Sequence, residues 1–81
     1  MTRAEISAKL RAFFEGKAPS PDLKLTDTML LREEWFLDSL GILETVAFLE
    51  DEFKVVVTRA DINGTHFATV SSLADFVVSR S

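Results

Sequence analysis

The hydrophobic positions of this chain fall into three stretches of helical period, joined by two segments without one. Ile6, Leu10, Phe13 and Phe14 recur at i, i+4, i+7 and i+8, an apolar stripe along one helix face. Thr2-Arg3-Ala4-Glu5 at its head is a capping-box pattern, in which a hydroxyl and a carboxylate each satisfy a free amide. Gly16 marks its end, and Pro19 and Pro21 forbid its continuation. Ile42, Val46, Leu49 and Phe53, widened by Leu43 and Ala47, predict a second helix over about Ser39 to Phe53 with Asp38 as its N-cap. Val70, Leu73, Ala74 and Val77, with Phe76 alongside, predict a last helix capped by Thr69.

The two remaining segments differ in kind. From Lys17 to Leu37 runs a long connection holding Leu23, Leu25, Met29, Leu30, Leu31, Trp35, Phe36 and Leu37, all expected to be partly buried. A connection this long in a small domain needs a reason, and function is a common one. Thr26-Asp27-Thr28 is a candidate start for a short helical turn inside it. Val55-Val56-Val57 reads as extended but too short for a sheet, and Asp61-Ile62-Asn63-Gly64 as a turn or a single helical turn. The expected fold is all-α: a small bundle of three main helices plus a short helix before the last, with a long first loop.

Length and charge narrow the picture. The 81 residues predict a single domain, 1–81, with a small core, since a chain of this size buries only about 60% of its unfolded surface. The apolar share of 47% suits a globular domain. Without cysteine there is no disulfide, thiolate metal site or cysteine nucleophile. The first residues lack the apolar core of a signal peptide, and no run approaches the ~20 apolar residues of a membrane helix. A cytoplasmic monomer without membrane insertion is expected. The net charge of −4 argues against nucleic acid as a partner. Between Glu33 and Glu52 the acids Glu33, Glu34, Asp38, Glu44, Glu50, Asp51 and Glu52 give −7 with no Lys or Arg, leaving +3 elsewhere. Such a patch attracts a basic partner, although acids also simply solubilise an exposed helix face.

Within that window the stretch FLDSLGILE sets a small hydroxyl, Ser39, at the first position of the second helix, at the positive end of its dipole. As a nucleophile Ser39 would need a nearby base with an orienting group behind it. The one histidine, His66, stands in a loop beside Phe67, and no Gly-x-Ser-x-Gly elbow surrounds Ser39. One imidazole does not build a zinc site, the contiguous acids Glu50-Asp51-Glu52 do not face a common point, and Gly16, Gly41 and Gly64 are isolated rather than a phosphate loop. The chain is expected not to be an enzyme. A serine that another protein modifies has simpler demands: exposure, a fixed position and freedom from bulky neighbours, the last of which Gly41 is expected to provide. The helix dipole favours a phosphodiester there.

At these residues the sequence resembles the acyl carrier proteins. Asp38-Ser39-Leu40 with Gly41 is similar to the family's Asp-Ser-Leu signature, whose serine bears 4′-phosphopantetheine. LLREEWFLDSLGILETVAFLEDE, Leu30 to Glu52, resembles the family's loop one and helix two. FKVVVTRADI resembles the segment leading to its short third helix, and FATVSSLADFV, Phe67 to Val77, the start of helix four. Thr26-Asp27-Thr28 matches the place of a short acidic motif in loop one. The resemblance covers essentially the whole chain. It departs where Trp35 and Phe36 replace a usual turn glycine and where His66 stands in place of a usual Asn.

The resemblance implies a covalent 4′-phosphopantetheine on Ser39, placed there by a phosphopantetheinyl transferase from coenzyme A, with Asp38 as the flanking cap. The arm's thiol then holds an acyl or aminoacyl group as a thioester for loading ligases, synthases or transferases of fatty-acid, polyketide or related biosynthesis. The carrier contributes a docking face: Leu40, Val46 and Phe48 as its apolar part, and Glu44, Glu50 and Asp51 as its charged rim. Leu40 and Val46 each also admit a place in the core, while Thr45 and Phe48 are expected at exposed positions. Ile62, Phe67 and Leu43 are candidates to line a cleft for the cargo. The rival reading is an unmodified helical interaction module in which Ser39 is only a helix-start residue.

Overall fold

A computed structural model describes residues 2–17, 22, 24–35 and 37–80. The helices are α1 (Arg3–Glu15), α2 (Leu31–Glu34), α3 (Ser39–Phe53) and α4 (Val70–Arg80), with a 3₁₀ turn at Arg59–Asp61. No strand occurs among the described residues. The fold is therefore all-α, with the short helical element before the last helix realised as 3₁₀ rather than α.

The caps explain where the helices begin. Thr2 Oγ1 accepts from the Glu5 amide at 3.1 Å, and Glu5 Oε1 accepts from the Thr2 amide at 3.0 Å, completing the box at the head of α1. Asp38 Oδ1 accepts from the Gly41 amide at 2.8 Å at the head of α3. Thr69 and Ser72 cap α4 reciprocally, each side-chain oxygen taking the other's amide at 3.0 Å. The ends are less regular. Gly16 closes α1 in a right-handed conformation, and Pro19 and Pro21, the expected stops, lie outside the described residues. Lys54 ends α3 with φ of 57°, a left-handed position held by a residue with a Cβ.

Ile6, Leu10 and Phe14 of α1 meet Val70, Leu73, Ala74, Phe76 and Val77 of α4 in the core, joined by Leu49 of α3. The α1–α4 face carries the principal helix contact. Arg3 ties its rim to α4 through Asp75 at 2.7 Å and Ser71 Oγ at 2.7 Å.

The long first connection has a structural explanation. Leu25 and Leu31 are buried in the core. The Leu31 amide donates to Ala68 O at 2.8 Å and the Ser71 amide to Asp27 O at 2.9 Å, so the loop is bonded to the approach and first turn of α4. Glu15 accepts the Leu25 amide at 2.8 Å, and Arg11 pairs with Asp27. Trp35, one of the residues at which the resemblance lapses, is half-buried, and its Nε1 donates to Phe14 O at 3.2 Å at the end of α1. Two expectations change here. Leu30 is exposed rather than partly buried, because the chain turns into α2 immediately after it and α2 presents Leu31 inward. The helical turn lies at Leu31–Glu34, while residues 27–29 form only a bend and turn. Leu23 and Phe36 lie outside the described residues.

Candidate functional site

Ser39 is the first residue of α3 and is exposed. Its cap is supplied from outside the helix by Asp38, so the Ser39 hydroxyl is not needed to satisfy backbone and makes no hydrogen bond among the described residues. Leu37, half-buried, anchors the chain on the other side of the cap. Gly41 works inward rather than by clearing space around Ser39. A Cβ there would stand 2.8 Å from Leu37 Cδ1 and 3.3 Å from Asp38 Oδ1, so the absent side chain lets Leu37 and the cap close against the first turn. The Gly41 carbonyl also accepts from Thr45 Oγ1 at 2.7 Å.

Around this hydroxyl the predicted face divides. Leu40 is 66% exposed, clear of the core. Leu43, one turn further along, is 62% exposed and stands beside it as an apolar surface residue that the periodicity had placed with the inward stripe. Val46 is half-buried against the core. Phe48 is half-buried rather than exposed: its ring stacks on Phe13 at 4.2 Å and meets Phe53 edge-on, which commits it to the α1–α3 contact. Thr45, also expected outside, is fully buried, and its bond to Gly41 O makes that burial tolerable.

The acids are distributed over several tasks. Glu34 accepts the Leu30 amide at 2.7 Å and Asp38 caps α3. Glu44 pairs with Lys17 at 3.1 Å, Glu52 with Lys9 at 2.8 Å, and Glu50 accepts the Val57 amide at 3.2 Å. Among the described residues Glu33 and Asp51 have no partner, so the net field of the −7 window is weaker at close range than the sequence suggests.

Beside α3 opens a cleft of about 140 Å³ lined by Arg32, Ile42, Ile62, Asn63, Gly64 and Phe67. Ile62 and Phe67 take their expected places in it. Leu43 does not line it; Ile42 does, because the α3 face turned toward the 60s loop is the one carrying Ile42, while Leu43 turns to solvent. Ile42 and Ser39 are three residues apart, on neighbouring faces and about 4.5 Å apart along the helix axis. Arg32 is a lining residue the sequence reading missed; only the loop's return past α3 brings it there.

The loop bearing Ile62 is tied down by several hydrogen bonds. Asp61 accepts from the Thr58 amide at 2.9 Å, from Thr58 Oγ1 at 2.8 Å and from Arg80 at the end of α4. The Thr58 amide is the main cause of a carboxyl lowered to about 2, with the hydroxyl and Arg80 adding to it against the opposing effect of burial. Asn63 Oδ1 accepts the Thr65 and His66 amides, and His66 lies 4.8 Å from the Phe76 ring, so both are parts of the loop's framework. No group of three or more His, Cys, Asp or Glu suited to a metal occurs among the described residues, and no described helix is long and apolar enough to cross a membrane.

No family model matches the chain. It is 32% identical over 53 residues to the acyl carrier protein AsbD of Bacillus anthracis. The matched part is 65% of this chain, and it spans 58% of the relative's length. This similarity supports a relationship to the acyl carrier protein family.

Proposed function

We propose that this chain, a relative of the acyl carrier proteins, carries an acyl or aminoacyl group on 4′-phosphopantetheine attached to Ser39 and is itself non-catalytic. The observation that carries the reading is the exposed Ser39 hydroxyl, free of backbone duties, at the start of a helix whose cap comes from Asp38. These residues fit the group: the oxygen is accessible, and the first turn of α3 stabilises an anion placed beside it. When bound, the group supplies a thiol that holds the cargo as a thioester.

The chain's own residues do the rest. Asp38 fixes the first turn, so the Ser39 oxygen is presented in one place to a phosphopantetheinyl transferase. As its bond to phosphorus forms, the pyrophosphate linkage of coenzyme A breaks, 3′,5′-adenosine bisphosphate leaves and the transferase takes up the serine proton. Leu40 and Leu43 provide apolar contact to partner enzymes, with Asp51 and the partly paired Glu44 and Glu50 around them. Val46 and Phe48 support α3 from beneath. Contact through a small, charged, solvent-exposed face favours fast and salt-sensitive encounters. Tethering then raises the local concentration of cargo at the partner's active site. Loading ligases, synthases or transferases are the partners this reading requires.

The test is a mass measurement. Incubation with coenzyme A and a promiscuous transferase is expected to add one phosphopantetheinyl group, and Ser39→Ala is expected to stay unmodified. A wild-type chain that remains unmodified refutes the carrier reading and leaves a helical interaction module.

A further inference from the structure

We infer that the cleft beside α3 seats a short acyl group ending in a carboxylate, which Arg32 reads. The inference rests on the carrier reading and adds the class of cargo to it.

Size is the first argument. The cleft of about 140 Å³ has the volume of a benzene-sized group, so the part of a cargo that it seats is short, roughly six heavy atoms. The chemistry of the lining is the second. Ile42, Ile62 and the buried Phe67 form an apolar base, while Arg32, Asn63 and Gly64 contribute polar atoms. Asn63 is already engaged: its Oδ1 accepts two amides and its Nδ2 donates to Ala60 O at 2.9 Å. Arg32 is not engaged. Arg3, Lys9, Arg11, Lys17 and Arg80 each hold an acid, whereas Arg32, like Lys24, Lys54 and Arg59, has no ion pair among the described residues, and of these four it is Arg32 that lines the cleft. The acids nearest in sequence do not quench it. Glu34 is turned to the Leu30 amide, Asp38 to the Gly41 amide, and adjacent helical residues such as Arg32 and Glu33 point apart. A planar guanidinium with free donors over an apolar base matches a carboxylate at the end of a few methylenes.

The experiment loads the full chain on Ser39 with succinyl- and, separately, butyryl-phosphopantetheine from the corresponding coenzyme A thioesters, with mass spectrometry confirming attachment. The two cargos match in carbon count and differ in the terminal charge. In the succinyl form the Arg32 Nε–H resonance and the Ile42 and Ile62 methyls are expected to shift from their positions in the holo chain. In the butyryl form Arg32 is expected not to shift. Spontaneous hydrolysis of the succinyl thioester is expected to be about threefold slower in the wild type than in Arg32→Gln, the scale an exposed charge pair supports. Molar salt is expected to erase the difference. Fully loaded succinyl and butyryl forms with the same Arg32 resonance overturn the inference while leaving the carrier reading intact. Absence of loading overturns both.

Discussion

Replacing Asp38 separates the two things its carboxylate does. Its Oδ1 accepts the Gly41 amide at 2.8 Å, and its charge sits at the positive end of a 15-residue helix. Asp38→Ala removes both, and loss of an N-cap costs about 1 kcal/mol. Asp38→Asn keeps an acceptor for the amide and loses only the charge, about 0.3–1 kcal/mol at an exposed helix start. In a domain of this size 1 kcal/mol moves Tm by about 4–8 °C. The Ala variant is therefore expected to melt about 4–8 °C or more below the wild type, and the Asn variant clearly less far. The cap also fixes the first turn, which bears the Ser39 oxygen. Transferase loading, followed by mass spectrometry well below either Tm, is expected to slow in Asp38→Ala and to stay near the wild-type rate in Asp38→Asn. If Asn melts as low as Ala, or if Ala loses neither stability nor loading rate, the argument that this cap presents Ser39 is wrong.

Other outcomes follow from the same geometry. Lys54 occupies a left-handed position at φ of 57°, so Lys54→Gly is expected to raise stability in urea unfolding by about 0.5–1 kcal/mol. Ser7 Oγ is buried without a partner among the described residues, and Ser7→Ala removes that orphan while improving helix propensity; a gain of about 1 kcal/mol in the same assay is expected. Asp61, lowered to about 2 from 3.8, contributes stability that is fully present above the unfolded value and is lost as pH falls through the folded one. Urea midpoints measured from about pH 5 down to pH 2 are expected to fall less steeply in Asp61→Asn than in the wild type.

Local chemistry made much of the molecule legible in advance. The capping box at Thr2 and Glu5 and the Asp38 cap depend on residues within one helical turn of each other, the span of α3 on an apolar stripe repeating along it, and all three stand as read. The exposed serine follows from the same local logic, because an N-cap supplied by the preceding residue leaves the first helical hydroxyl free. The single turn of α2 was not legible. Four residues cannot establish a period, and Leu31 is drawn inward by its bond to the Ala68 carbonyl, a residue far along the chain.

The sequence by itself determined the helical periods, the caps, the position of Ser39 and the resemblance to a carrier family, since each depends on neighbours in the chain. Tertiary structure alone decided which side of α3 faced what. Phe48 and Thr45 turned inward because α1 offered Phe13 and the Gly41 carbonyl offered a bond, while Leu43 was left to solvent. It also decided that five of the seven acids in the central window would be spent on amides and cations. Arg32 reached the cleft for the same kind of reason. Loop packing against α1 and α4 sets where its backbone lies, and no spacing along the chain encodes that approach.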